Sequence, residues 1–355
     1  MQIKQLLENM LNLGGSDLHV TAGASPMVRI NGKLTFTDMD RLSSQDIKDM
    51  VTSILQPHQK EMLEENMELS FSYSMPGLAR FRVNIIHQRG SMAANFRVVA
   101  TKVPSLDDLK LPAAVKDLCR HSRGLVLVTG PAGSGKSTTL AGMLGLINKE
   151  RSLNIVTIEN PIEFLHSHYK SIINQREVGS DTRSLTDALR SMLLHDPDVI
   201  LIGEIRSAET ASAALNAVET GRLVFSTLHS RTTISGIQCI LSMYPNQLRE
   251  NVRKQLADSL LGIVSQQLIP RFDGKGKVVA VELLLCTPEV KNLIKDGKEQ
   301  QLYNIMQSSS DIGMSTFDQA LVELCTQKII SSAMAKEWCS NCAELEQLLR
   351  TSLDI

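Results

Sequence analysis

A chain of 355 residues with 37 Lys and Arg against 38 Asp and Glu, and a formal net charge of -1, is long enough for two domains and lacks the positive field that gathers nucleic acid. Its composition, 43% hydrophobic, 21% charged and 4% aromatic, is that of a soluble globular protein and excludes a disordered or fibrous one. No apolar run approaches the roughly 20 residues that cross a bilayer, and residues 1–13 hold neither an apolar signal core nor a cleavage site, so a cytoplasmic chain with no transmembrane segment and free cysteines is expected.

Residues 1–100 read as a small mixed domain. Helical spacing over 1–13 ends at Gly14 and Gly15, 17–20 and 27–30 look like short strands, and Asn31-Gly32 makes a hairpin turn. Ser43 or Ser44 caps a helix through Ile54. Strand alternation returns over 69–73, 79–86 and 93–99; in it Phe81, Val83 and Ile85 alternate with Arg82 and Asn84, the pattern of a sheet with one wet face. Pro104, a charged cluster and Pro112 mark 101–112 as a linker.

From Gly124 the pattern changes. Uninterrupted apolar runs at 125–129, 154–158, 199–202 and 223–226 alternate with helical stretches, as in a parallel sheet covered on both faces, so 113–289 is expected to be an α/β core. Strands cease near residue 290, and 290–294, 316–325 and 335–349 make 290–355 a helical region. Cys339 and Cys342 form a CxxC, but with no second pair to complete a zinc site they read as small residues on the last helix.

The chemistry is concentrated in the α/β core. Gly130-Pro131-Ala132-Gly133-Ser134-Gly135-Lys136-Ser137 fits G-x-x-x-x-G-K-[ST] and stands between a buried strand and the amphipathic run 138–148. Glycines let the backbone turn its amide hydrogens around phosphates, and the helix from Thr138 onward adds its positive end. Lys136 is expected to reach the terminal phosphates of ATP, and the Ser137 hydroxyl to bind Mg2+. A carboxylate at the end of a neighbouring strand completes such a metal site, and Glu204 closes the run 199–203. Asp196 and Asp198 precede that strand and so belong to the opposite edge. Hydrolysis needs a base that orients a water; Glu159 and Glu163, just past another strand, are the two candidates, and the residues alone do not separate them. His229 follows a fourth strand and is expected to sense the terminal phosphate at the same edge. In the first domain Arg80, Arg82, Arg89 and Arg97 are candidates to neutralise phosphate charge from outside the core.

Taken together, Ser16-Asp17-Leu18-His19, the phosphate loop, TIENPIEF, DPDVILIGEIR and STLH resemble the secretion ATPases, and most closely the retraction motors of type IV pili, the PilT family. The resemblance runs over nearly the whole chain. It implies an N-terminal PAS-like α+β domain joined to a C-terminal RecA-like P-loop ATPase domain, a homo-hexameric ring, and ATP-driven pilin disassembly through a polytopic inner-membrane platform protein, with the motor peripheral to that membrane at the pilus base. By match, Glu163 would be the catalytic glutamate, Glu204 the Walker B acid and His229 the His-box histidine. Residues 289–295 resemble a helix that retraction motors need. The sequence departs from the family at Asn160, where an aspartate is usual, at Arg222, where a histidine usually precedes the His-box strand, and at Glu289 and Lys295. Asn160 and Arg222 motivate a second reading, a weakly active assembly component that assists a paralogous retraction ATPase. A helicase or DNA translocase is disfavoured by the neutral charge and the few aromatic residues.

Overall fold

The opening segment folds into the helix Ile3–Asn12, which buries Leu6, Leu7 and Met10 and turns away at Gly14, φ 67°. The computed structural model describes residues 2–353. The chain forms two units: Met1–Thr101 with Pro161–Leu165, and Lys102–Asn160 with His166–Ile355.

The first unit is built on six antiparallel strands, β1 (Asp17–Thr21), β2 (Met27–Ile30), β3 (Lys33–Phe36), β4 (Glu68–Met75), β5 (Ala79–Gln88) and β6 (Ser91–Val98), in the order β3-β2-β1-β6-β5-β4. The turn between β2 and β3 places Asn31 and Gly32 at φ 49° and 82°, both left-handed as a two-residue hairpin requires. Ser43 caps the helix Ser44–Ile54 through a reciprocal pair of hydrogen bonds with Asp46. Phe81, Val83 and Ile85 are fully buried beside Leu7, Ile47 and Val51, while Arg82 and Asn84 face solvent. The helix Pro57–Asn66 was not foreseen; its proline opens it, and its low apolar content leaves only Leu63 buried.

The second unit carries β7 (Gly124–Thr129), β8 (Asn154–Glu159), β9 (Ile172–Glu177), β10 (Val199–Ile202), β11 (Leu223–Leu228), β12 (Leu260–Pro270) and β13 (Lys277–Leu285), in the order β13-β12-β7-β11-β10-β8-β9. All neighbours are parallel except the β12–β13 hairpin. Successive residues of β7 point to opposite faces: Val126 and Val128 pack with Leu140, Met143 and Ile147 of the helix Lys136–Glu150, whereas Leu125 and Leu127 pack with the helices Ala208–Glu219 and Asn246–Ser259 on the other side. Residues 102–112 have no helix or strand, yet Leu106 is buried in this unit's core and its side chain lies against Gly142.

Of the strands beyond the four expected in this core, β9 has the exposed Ile172 and Asn174 of an edge strand, and β12 is interrupted by Ser265, Gln266 and Gln267, so neither presents a clean apolar run. The helix expected over 335–349 is two helices, Ser332–Trp338 and Cys342–Leu353. The break has a cause. Asp318, fully buried, accepts the backbone N–H groups of Ser340 and Asn341 at 2.7 and 2.8 Å, and a helix running through would need those donors for itself. CxxC therefore stands at this break rather than within a helix. Replacing Asp318 by Ala should cost the packing of the last helix about 2 kcal/mol, read as roughly 30-fold faster hydrogen exchange at Leu345 and Leu349.

Candidate functional site

β7 ends at Thr129, and the chain then turns through Gly130, Gly133 and Gly135 at φ 146°, 74° and 92°, conformations that cost a side-chain residue dearly. The helix Lys136–Glu150 starts directly after Gly135, and its first internal bond is Thr139 N to Gly135 O. The N–H groups of Lys136, Ser137 and Thr138 thus open the helix at its positive end. Pro131, Ala132 and Gly133 are exposed, Ser134 is buried, and Ser137 and Thr138 are partly covered. Lys136 Nζ donates to Gly130 O and Pro131 O, both at 2.9 Å, so its charge lies across the mouth of the loop. Two buried hydroxyls, Thr129 Oγ1 and Ser134 Oγ, have no hydrogen-bond partner among the described residues. Donors gathered around a glycine turn fit a polyphosphate.

Parallel pairing carries two further groups to this edge. β11 pairs with β7 on one side and β10 on the other, and His229 and Glu204 follow their carboxyl ends. Glu204 is held from both sides of its strand: Gly203 N donates to Ile158 O at 2.8 Å, Thr227 Oγ1 to Gly203 O at 2.7 Å, and Ile205 N to Thr227 O at 3.0 Å. Its carboxylate, 20% exposed, meets His229 Nε2 at 3.1 Å through Oε1 and Arg206 at 2.6 Å through Oε2. That ion pair raises the already high pKa of Arg206. The sequence therefore named Glu204 and His229, and the structure brings them into contact; Arg206, two residues past the acid, was missed although it stands in the same motif.

Glu159 ends β8, beside β10, and its Oε1 accepts from Thr157 Oγ1 at 2.6 Å and Gln175 Nε2 at 3.2 Å. Glu163 belongs to the first unit. It is exposed on the segment Pro161–Leu165, which folds with the first unit through the pairing of Phe164 with Ala100. Asp196 and Asp198 lie at the far edge of the sheet, where Asp198 accepts Asn154 N at 2.8 Å. Arg222 joins them there, bonded to Pro197 O and Thr220 O and paired with Asp196, so this departure falls at the opposite strand ends from the phosphate loop.

In the first unit, cross-strand pairing lines up Arg29, Asp17, Arg97, Arg82 and Ser72 across the sheet. Asp17, 2% exposed, accepts from Ser16 Oγ at 2.7 Å and Arg97 Nε at 2.6 Å. Burial pushes its pKa up, but those two hydrogen bonds outweigh it and the carboxyl lies below its usual range. Arg97 is thus anchored while its side chain remains 64% exposed; Arg82 is exposed beside it, and Arg80, partly covered, reaches Ser74 Oγ at 3.4 Å.

Among the described residues no group of three or more His, Cys, Asp or Glu converges on one point. The oxygens of Ser137 and Glu204 are hard donors of the kind that hold Mg2+ when a nucleotide's phosphates supply the remaining ligands. The donor set therefore fits a nucleotide-borne magnesium rather than a metal caged by protein alone.

A parallel sheet covered on both faces, with a glycine loop between its strand and helix and an acid and a histidine on the adjoining strand ends, defines a P-loop protein. Residues 2–323 match the family model described as type II/IV secretion system protein, and the chain belongs to that family. It is 41% identical over 337 residues to the type IV pilus retractation ATPase PilT of Pseudomonas aeruginosa, covering 95% of this chain and 98% of that protein. The type IV pilus ATPase PilU of the same organism is also 41% identical, over 327 residues, covering 92% and 86%. A crystal structure of the pilus retraction motor PilT with bound ADP superposes with a TM-score of 0.91 at 44% identity, over 98% of this chain and 99% of that one.

Two outcomes are expected. A methyl group at Gly130 would stand 2.3 Å from Gln266 O and 2.5 Å from Ser134 Oγ, so Gly130→Ala should weaken ADP binding by about 100-fold or more in a chain that still folds, measured by calorimetric titration. The Asp17 pKa is lower folded than the roughly 3.9 of an unfolded chain, so its stabilisation is full above about pH 5 and is lost as pH falls through the folded value. Asp17→Asn should cost the first unit roughly 1–2 kcal/mol at pH 7 and flatten the acid dependence of hydrogen exchange in β1 and β6.

Proposed function

We propose that this chain is an ATPase motor that drives type IV pilus retraction. The observation that carries the reading is the contact of Glu204 with His229 at the carboxyl ends of β10 and β11, on the sheet edge where β7 opens into the phosphate loop. The two relatives and the solved neighbour support the biological assignment, since each spans almost the same length and is named for a pilus.

In this reading the backbone from Gly130 to Thr138 and the Lys136 ammonium bind the phosphates of ATP, and Ser137 and Glu204 would hold Mg2+. Bound there, the metal would neutralise charge developing on the phosphates. Glu163 orients and deprotonates the attacking water, the role its motif suggests; Glu159, engaged by Thr157 and Gln175, keeps the strand end in shape. His229 reports the terminal phosphate to Glu204, and Arg206 holds the other carboxylate oxygen. Arg80, Arg82 and Arg97 supply positive charge toward a nucleotide, Arg97 pre-set by Asp17. Six copies form a ring on the cytoplasmic face of the inner membrane and act on the polytopic platform protein; no helix among the described residues is long and apolar enough to cross that membrane itself.

Purified chain should hydrolyse ATP unaided. Lys136→Ala should abolish turnover, and Glu204→Gln should lower kcat by roughly 100-fold while ADP still binds; unchanged turnover in Lys136→Ala would refute the proposal. A deletion strain should carry surplus surface pili and lose twitching, whereas bald cells would indicate extension. Asn160, which removes a negative charge from the TIENPIEF motif, favours an accessory role beside a paralogous motor. Ring formation with little turnover of its own would decide for that role.

A further inference from the structure

β12 runs parallel to β7 with Ser265 in register with Thr129, the last strand residue before the phosphate loop. The next residue, Gln266, is 1% exposed, and its side-chain amide links that loop to the helix that follows it. Nε2 donates to Ser134 O at 2.7 Å, and Oε1 accepts from Thr139 Oγ1 at 2.9 Å. Contacts with the glycines are as tight: an added Cβ would lie 2.3 Å from Gln266 O at Gly130 and 3.1 Å from Gln266 Nε2 at Gly135.

We propose that Gln266 is a positioning residue for the nucleotide. By holding Ser134 O on the outside of the loop, it turns the Gly135 N–H to the inside, toward the β-phosphate of a nucleoside di- or triphosphate. This deepens the proposed function and rests on it. A trans peptide directs its C=O and N–H to opposite sides, so fixing one fixes the other. Glycine at 135, φ 92°, lets the Ser134–Gly135 peptide rotate cheaply, and the inverted orientation would present a carbonyl oxygen to phosphate. An external anchor selects the binding orientation. The anchor must donate, because Ser134 O only accepts, and the Thr139 hydroxyl orients the amide by occupying its oxygen. A glutamate here would set a carboxylate oxygen against a carbonyl oxygen.

Gln266→Met keeps the volume and removes the donor. Calorimetric titration with ADP and steady-state kinetics with ATP should show the ADP Kd and the ATP KM each raised about 10- to 100-fold, with kcat at saturation within about threefold, because the β-phosphate contact is shared by ground and transition states. A Gln266→Met chain that melts at a lower temperature yet binds ADP within twofold of the unaltered chain would overturn the inference and leave only a structural role. Should that variant fail to fold, Thr139→Val frees the amide without opening a cavity. Its ADP Kd should rise about 3- to 10-fold, and an unchanged value overturns the inference. Failure of the unaltered, folded chain to bind ADP would remove the function and this inference together, whereas normal binding in Gln266→Met removes the inference alone.

Discussion

The parallel pairing of β7, β11 and β10 sets the geometry of the candidate site. Backbone hydrogen bonds align Thr129 with Leu228 and Ser226 with Ile202, so the three strands stop within a residue or two of one another and deliver the phosphate loop, His229 and Glu204 to one edge. That arrangement requires both faces of the sheet to be dry. Every residue of β7, β10 and β11 is buried, and two of the side-chain hydroxyls that occur there tie the end of β10 to its neighbour: Ser226 Oγ and Thr227 Oγ1 donate to Ile202 O and Gly203 O. Position here is a property of strands rather than loops, which suits a site whose groups must hold their separation while charge moves.

Much of this was legible in the sequence because its signals were local. A phosphate loop carries its own glycines, and a buried parallel strand is an apolar run that announces both its core and its open end; Glu204 and His229 could be placed simply because each follows such a run. What escaped notice depends on partners remote in sequence. Gln266 is 132 residues from the carbonyl it holds, and its only trace is a polar interruption in the run 260–270. The break before Cys342 is equally hidden, since it is caused by Asp318, 22 residues upstream of Ser340. β9 leaves as little trace, because an edge strand half open to water has no apolar signature.

Arginine in the first unit illustrates how one pattern admits two meanings. Alternation along β5 and β6 accounts for Arg82 and Arg97 as the wet side of a sheet. Only the cross-strand register adds that Asp17, from a strand 80 residues away, lies buried between Arg29 and Arg97 in the same row. A carboxylate in that position fixes one guanidinium in direction, whereas its neighbour Arg82 is exposed without that anchor, so residues of the same type on the same face are not equivalent.

Pro161–Leu165 leaves the second unit after β8, pairs Phe164 with Ala100 in the first, and returns at His166. The polypeptide therefore passes between units three times, after Thr101, Asn160 and Leu165. No single cut separates them into self-sufficient pieces: a fragment ending at Thr101 lacks a stretch of its own unit, and the complementary fragment keeps that stretch without the residues it pairs with. Swapping one unit between related chains would have to carry five extra residues, Glu163 among them, as a separate graft.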